Sequence, residues 1–213
     1  MEAKAYIFDL DGTLVDSMTD GWIVMLKEYL AENGVAYSSE LIKSIIALGL
    51  FETAIYFKEN LGFKKAPEEI VQDFKNALRV RYEEDIPQKP NVRETLVALK
   101  GRGASLNVLT ASPHEFLDPC LKRLKTYDLF DNVWSVDDFT SSKAEPCTYV
   151  TIASKLGCKI ENCVMVDDSV GAIKPAKEAG MQTVGVYDEF SAEFEEEMRA
   201  CADRYIHNFI ELL

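Results

Sequence analysis

The sequence predicts an α/β protein: a doubly wound, Rossmann-like parallel sheet with an all-α helical cap inserted near its start. Three observations carry this reading. A short apolar run at residues 3–8 has strand length and stops abruptly at Asp9-Leu-Asp-Gly-Thr. From about residue 19 to residue 85 apolar residues recur at helical spacing, with no strand pattern among them. Beyond Pro90, short apolar runs and amphipathic stretches alternate, as parallel strands joined by crossover helices do.

Residues 3–8 are read as the first strand, because an apolar run ending in polar residues suits a buried parallel strand that leads into a functional loop. From about Thr19 a helix sets Trp22, Ile23, Met25, Leu26, Tyr29 and Leu30 on one face, with Gly34 where a C-terminal cap belongs. Helices follow at residues 39–47, at 51–61 with Gly62 as the stop, and at 68–85, ended before Pro87. The alternating part then reads as helix 92–100, strand 105–109, helix 113–124, strand 133–136, helix 146–156 and strand 163–166. Helix 170–179, capped by Gly180, leads to strand 183–187, helix 191–201 and strand 204–206. The resulting division is a core of residues 1–15 and 89–213 and a cap of residues 16–88, with hinges near Asp16-Ser17 and Gln88-Pro90.

Composition narrows the function classes. With 213 residues, 47% hydrophobic and 28% charged, the chain has material for a packed core, which excludes disordered and disulfide-scaffold readings. Its 23 Lys and Arg against 36 Asp and Glu leave a net charge of −13, which opposes nucleic acid and acidic membranes, so an anionic ligand must be small and locally held. The five cysteines are odd in number and form no Cys-x-x-Cys pair, as expected of thiols in a reducing cytoplasm. No export signal and no stretch of membrane-spanning length is visible, so a cytoplasmic location is expected.

Ligands of open α/β sheets bind at the carboxyl ends of the strands, and these ends share a chemistry. The first strand ends in Asp9 and Asp11, the second in Thr110-Ala111-Ser112, and the strand from Cys163 in Asp167-Asp168-Ser169, while Lys143 follows strand 133–136. Carboxylates gathered this closely need a cation among them, and Mg²⁺ is the hard ion that suits oxygen ligands. With Lys143 and the backbone N–H groups of the Gly12 and Ala111 turns, such a site suits a phosphoryl group, and one carboxylate can attack phosphorus to form an aspartyl-phosphate.

The segments Asp9-Leu-Asp-Gly-Thr-Leu-Val-Asp-Ser, Thr110, Lys143-Ala-Glu-Pro146 and Val166-Asp-Asp-Ser-Val-Gly171, the last followed by Ala176-Lys-Glu-Ala-Gly180, resemble the four motifs of the haloacid dehalogenase superfamily. The likeness runs through the whole chain and is greatest to the phosphoglycolate phosphatase and β-phosphoglucomutase branch. It implies Asp9 as nucleophile, Asp11 as general acid and base, Thr110 as phosphate ligand and Lys143 as charge balancer. Asp9, Asp11 and Asp168 would hold Mg²⁺, with Asp167 close behind, in a phosphatase acting on a small phosphorylated metabolite. The chain departs from the family pattern at Ala111 for the usual Asn, at Asn91 for Gly and at Ala144 for Pro.

A sugar phosphomutase of the same branch is the nearest rival, but its cap His and Arg match Gly21 and a position near Glu52 here. A dehalogenase of the superfamily needs neither a metal nor Asp11, and an inactive binding protein would not require Asp9, Asp11, Lys143 and Asp168 intact. In the cap, the turn from Leu48 to Phe51 is expected to reach the site, with Gly49 permitting the turn and Phe51 facing the substrate. Trp22 and Tyr29 are expected in the core, Asp137-Asp138 and Asp188-Glu189 as surface turns, and Phe190, Phe194 and Met198 as the packed face of the helix at 191–201. His114 and His207 have no partners readable from the sequence.

Overall fold

The structure is a computed structural model describing residues 5–45, 48 and 50–213, with Ser39 and Lys43 described by their backbone only. The expected strand residues Ala3 and Lys4, the helix-end residues Ile46 and Ala47, and the turn residue Gly49 lie outside the described residues.

In chain order the elements are β1 (Ala5–Phe8), a π-helical segment Met18–Ile23 running into α1 (Val24–Glu32), α2 (Ser39–Ile45), α3 (Leu50–Asn60), α4 (Pro67–Glu84), α5 (Val92–Gly101) and β2 (Ser105–Thr110). There follow α6 (His114–Arg123), β3 (Asn132–Ser135), α7 (Pro146–Lys155), β4 (Cys163–Asp167), α8 (Val170–Glu178), β5 (Gln182–Val186), α9 (Glu195–Cys201) and β6 (Arg204–Ile206). The strands form one sheet in the order β3-β2-β1-β4-β5-β6, and every pairing is parallel. The chain builds outward from β1 to β3, then returns to place β4 on the other side of β1. That reversal is the switch point where open sheets bind ligands, and it falls between the loop after β1 and the loop after β4.

The two faces of β1 enter different cores, as alternation along a strand requires. Phe8 joins Val108, Val166, Leu96 and Phe116 on one side, and Ile7 joins Leu109, Met165, Tyr149 and Ile173 on the other. In the register, Phe8 lies beside Val108 and Val166, which brings Asp9 level with the ends of both neighbouring strands.

Between β1 and α5 the described elements are helical. The α4 helix starts with Pro67 in its first turn and Glu69 accepting the Ala66 N–H at 2.7 Å. Its buried stripe, Ile70, Phe74, Leu78 and Tyr82, repeats every fourth residue. Phe74 meets Tyr29 and Phe57 edge-on, with ring centroids 4.9 and 5.7 Å away. The two connections between this helical stretch and the sheet run side by side: Asp16 N–H donates to Pro87 C=O at 3.0 Å, and Lys89 N–H to Leu14 C=O at 3.0 Å.

Three expectations shift. β3 starts at Asn132 and stops at Ser135, because Ser135 Oγ accepts the Asp137 N–H and turns the chain into a 3₁₀ turn at Val136–Asp138. β5 spans Gln182–Val186, one residue earlier than expected at each end. The helix expected at 191–201 begins as a 3₁₀ turn, Ala192–Phe194, and only then becomes α9. The change of period carries Phe194 off the packed face into solvent, while Met198 stays buried. Among the described residues no helix is long and apolar enough to cross a membrane.

Candidate active site

Asp9 is held one step beyond β1 by its N–H, which donates to Val166 C=O at 2.9 Å. The chain then turns within five residues, with Leu10 C=O accepting the N–H groups of Thr13, Leu14 and Val15. Gly12 adopts φ +78, and a Cβ there would lie 2.5 Å from Asp168 Oδ2. Its N–H, expected to face a phosphate, is instead bonded to Val15 C=O at 2.9 Å. The contribution of Gly12 is therefore space for Asp168. Thr13 fixes that carboxylate further: its hydroxyl donates to Asp168 Oδ1 at 2.8 Å and accepts the Asp168 N–H at 3.0 Å.

Lys143 reaches this cluster from the loop before α7. Its Nζ lies 2.5 Å from Asp9 Oδ1 and 2.6 Å from Asp167 Oδ2, and its own C=O is 2.7 Å from the buried Tyr149 hydroxyl. Asp167 Oδ1 accepts the Ser169 N–H at 2.8 Å, which aims the other oxygen at Lys143. Burial alone would lower the Lys143 pKa, but the carboxylates of Asp167 and Asp9 raise it above the ordinary lysine value. Burial pushes Asp9 well above the usual carboxylate range, opposed by Lys143 and reinforced by its acidic neighbours. Loss of solvent, and then Asp167, push Asp168 up to about 7.

Asp9, Asp167 and Asp168 each place a carboxylate oxygen within 4.8 Å of the others. Three carboxylates facing one ammonium leave an excess of negative charge in a place with little water, and that charge adds to the effect of burial on Asp9 and Asp168. A hard divalent cation would relieve it, and all the donors are oxygens, so the residues present fit such an ion. The clustered set differs from the expected one: Asp167 stands in it, and the Asp11 side chain does not.

Asp11 turns its carboxylate the other way. Oδ2 accepts from Ser112 Oγ at 2.6 Å and from Thr110 Oγ1 at 3.2 Å, and Oδ1 accepts from the Tyr82 hydroxyl of α4. Three hydroxyl donors on one carboxylate outweigh a place among like charges. Thr110, expected to bind phosphate, thus gives its hydroxyl hydrogen to Asp11 and accepts the Ser112 N–H at 3.0 Å. Tyr82 and Ser112 are the residues that sequence reasoning missed. The fourfold stripe of α4 places Tyr82 on a buried face, but its partner is 71 positions away. Tyr82 stacks on Phe116 with centroids 5.3 Å apart, and Arg123 Nε donates to its C=O at 3.3 Å. Burial raises the Tyr82 pKa and the Asp11 charge raises it further, so the phenol stays a donor.

Beyond Asp11 lies a partly open cavity of about 390 Å³, bordered by Tyr82, Ala111 and Ser112 and walled mainly by the helices that precede α5. Ala111, expected near the phosphate, lines it. Phe51 does not: its side chain is 45% exposed, and Leu48 and Leu50 face the cavity in its place. One step round a helix is about 100°, enough to swap which side chain points inward.

Other expectations are corrected here. Asp188 is buried in an ion pair with Lys89 at 2.7 Å and accepts the Phe190 N–H at 2.9 Å, so it is no surface turn. His114 does have partners, Asp118 at Nδ1 (3.0 Å) and Asp138 at Nε2 (2.9 Å). His207 stacks on Tyr187 with centroids 4.9 Å apart. Trp22 is half-buried and borders the cavity, while Tyr29 is in the core as expected.

Comparison with known proteins agrees with this geometry. Residues 6–186 match the model of the family described as haloacid dehalogenase-like hydrolase. A phosphoglycolate phosphatase of Salmonella typhimurium is 32% identical over 204 residues, covering 86% of this chain and 81% of the relative. Hexitol phosphatase B of Escherichia coli K12 is 29% identical over 185 residues, covering 85% and 82%. The crystal structure of a candidate β-phosphoglucomutase from Thermotoga maritima superposes with a TM-score of 0.85 at 24% identity, over 99% of this chain and 96% of that one, which is a likeness of fold.

Proposed function

The chain belongs to the haloacid dehalogenase-like hydrolases, and from that premise we propose that it is a Mg²⁺-dependent phosphatase of small organic phosphate monoesters working through an aspartyl-phosphate. The observation that carries this reading is the group of Asp9, Asp167, Asp168 and Lys143 at the switch point of the sheet, with Asp9 and Asp167 buried and Asp11 beside it. The names of the relatives, phosphoglycolate phosphatase and hexitol phosphatase, support the same reaction class.

In the proposed reaction an Asp9 oxygen attacks phosphorus in line, and the bond to the ester oxygen breaks. Lys143, already paired with Asp9 and Asp167, compensates charge that would otherwise repel the phosphoryl oxygens. Asp11 gives its proton to the leaving oxygen and later takes one from the water that attacks the phosphorus of the aspartyl-phosphate, breaking its bond to the Asp9 oxygen and releasing phosphate. An ionised Asp11 accepts from all three hydroxyls, and a protonated one gains a single donor, which the proposed reaction directs at the ester oxygen. Asp9, Asp167 and Asp168 would hold Mg²⁺, which when bound neutralises their excess charge and polarises a phosphoryl oxygen. Residues 16–88 are proposed as a cap that closes over the substrate, hinged where the paired connections at Asp16 and Pro87 leave the sheet.

The phosphomutase reading is weaker. Gly21, where that branch carries a cap histidine, is buried, and even a Cβ there would come within 3.0 Å of Ile86 Cδ1. The test is phosphate release from p-nitrophenyl phosphate with and without Mg²⁺. Turnover that stops in EDTA and falls by several orders of magnitude in Asp9→Asn is expected, and full turnover in EDTA or a tenth of the activity in Asp9→Asn would overturn the proposal.

A further inference from the structure

The cavity beside Asp11 has no role in the chemistry described so far. At about 390 Å³ it has room for roughly a dozen water-sized groups at about 30 Å³ each. This volume falls in the range of ligand pockets. Its walls are Trp22, Leu26, Ile45, Leu50, Phe74 and Phe116. No Lys, Arg, His, Asn or Gln is among its described lining residues. The polar side chains at the Asp11 end are already committed, since Tyr82 and Ser112 both donate to the Asp11 carboxylate.

Asp11, the group assigned to protonate the leaving oxygen, lines the cavity, so a leaving group held at Asp11 extends into it. We propose that the leaving group is apolar, an alkyl or aryl alcohol of up to about ten carbon atoms, and that the substrate is its phosphate monoester. This rests on the phosphatase reading and adds the substrate class to it. A leaving group carrying a carboxylate or a second phosphate would enter with no counter-ion among the described lining residues. A polyol would strip water from several hydroxyls and find Thr53 as the remaining side-chain partner, losing about tenfold for each hydroxyl left unpaired. The substrates named for the relatives, a glycolate and a hexitol phosphate, are thus the ones this cavity disfavours.

Two measurements test it. The first is kcat/KM with Mg²⁺ for methyl, butyl and hexyl phosphate and phenyl phosphate, against phosphoglycolate, sorbitol 6-phosphate and pyrophosphate. A rise of about fourfold per methylene is expected, the gain for moving one methylene out of water, with hexyl phosphate at least 100-fold ahead of the polar panel. In Leu50→Arg the ratio of hexyl phosphate to phosphoglycolate should fall at least tenfold. A flat chain-length series, or preference for a polar ester, would overturn the apolar assignment while leaving the phosphatase reading standing. The second is calorimetric titration with hexylphosphonate and methylphosphonate, which needs no turnover. Binding of the hexyl compound at least tenfold tighter supports the assignment, and equal binding refutes it. If no ester at all is hydrolysed, p-nitrophenyl phosphate included, the phosphatase reading fails and the titration still decides the cavity.

Discussion

Two regions meet at Asp11 and are built on opposite principles. On one side, strand ends and the loops beyond them gather Asp9, Asp167, Asp168 and Lys143 into a largely buried cluster of charge. On the other, helices and a loop line a partly open apolar cavity. The first region is costly to bury and holds together because its members compensate one another, so removing one exposes the rest. The second is ordinary hydrophobic packing around a space, where a substitution changes shape and polarity without orphaning a charge. In the proposed enzyme this divides the labour: the charged side performs the phosphoryl chemistry and the apolar side selects what the phosphoryl group is attached to.

The sharpest way to break that contrast is Lys143→Ala. It leaves Asp9 and Asp167 without their ammonium, and breaking a buried pair costs about 3–5 kcal/mol. Turnover should fall by at least a hundredfold, and the urea midpoint measured in EDTA should drop markedly. Added Mg²⁺ should recover part of the lost stability, because it supplies charge where the lysine did. A variant as stable as the parent in EDTA would show that the cluster is not held by compensation. Next in size is Asp11→Asn, expected to slow alkyl phosphates by about 10²- to 10⁴-fold. p-Nitrophenyl phosphate, whose leaving group needs little protonation, should lose much less. Equal losses on both esters would remove Asp11 as the acid.

Tyr82→Phe probes the seam itself, since Tyr82 belongs to α4 yet donates to Asp11. A hydrogen bond to a charged group is worth about 1.5–3 kcal/mol, and Ser112 and Thr110 still hold the carboxylate. The expected result is a drop of about tenfold in kcat for alkyl phosphates, with KM for p-nitrophenyl phosphate little changed. A change confined to KM would make Tyr82 part of the cavity wall alone.

The two regions were unequally legible from the sequence. Asp9, Lys143, Asp167 and Asp168 sit at or beyond apolar runs that announce strands, and parallel strands must bring their carboxyl ends together. Which oxygen faces which neighbour was not readable. Gly12 spends its N–H on Val15, and Asp11 is drawn away by hydroxyls from β2, the loop after it and α4. Asp188 looked like a surface turn because its partner, Lys89, lies across the fold. The cavity was harder still. Periodicity marks Leu26 and Phe74 as buried, but it does not say whether the helices close on one another or leave room between them. Phe51 is absent from the described lining for that reason: the phase that admits Leu48 and Leu50 is not available from local pattern.

The smallest expected effect concerns a surface link between the two regions. His114 follows Pro113, which borders the cavity, and its Nε2 meets Asp138, in the 3₁₀ turn that leads toward Lys143. Hydrogen bonds to Asp118 and then Asp138 raise its pKa above 6.5. A raised folded pKa means that protonation favours the folded state. The stabilisation is therefore complete below about pH 6.5, where the unfolded histidine is also charged, and fades as pH climbs through the higher folded value. His114 is 43% exposed, so solvent screening keeps the effect below about 1 kcal/mol. His114→Gln should destabilise the protein more at pH 6 than at pH 9, and the imidazole resonance that it removes should titrate above 6.5. A titration at or below 6.5 would mean that the two aspartates do not hold the ring in solution.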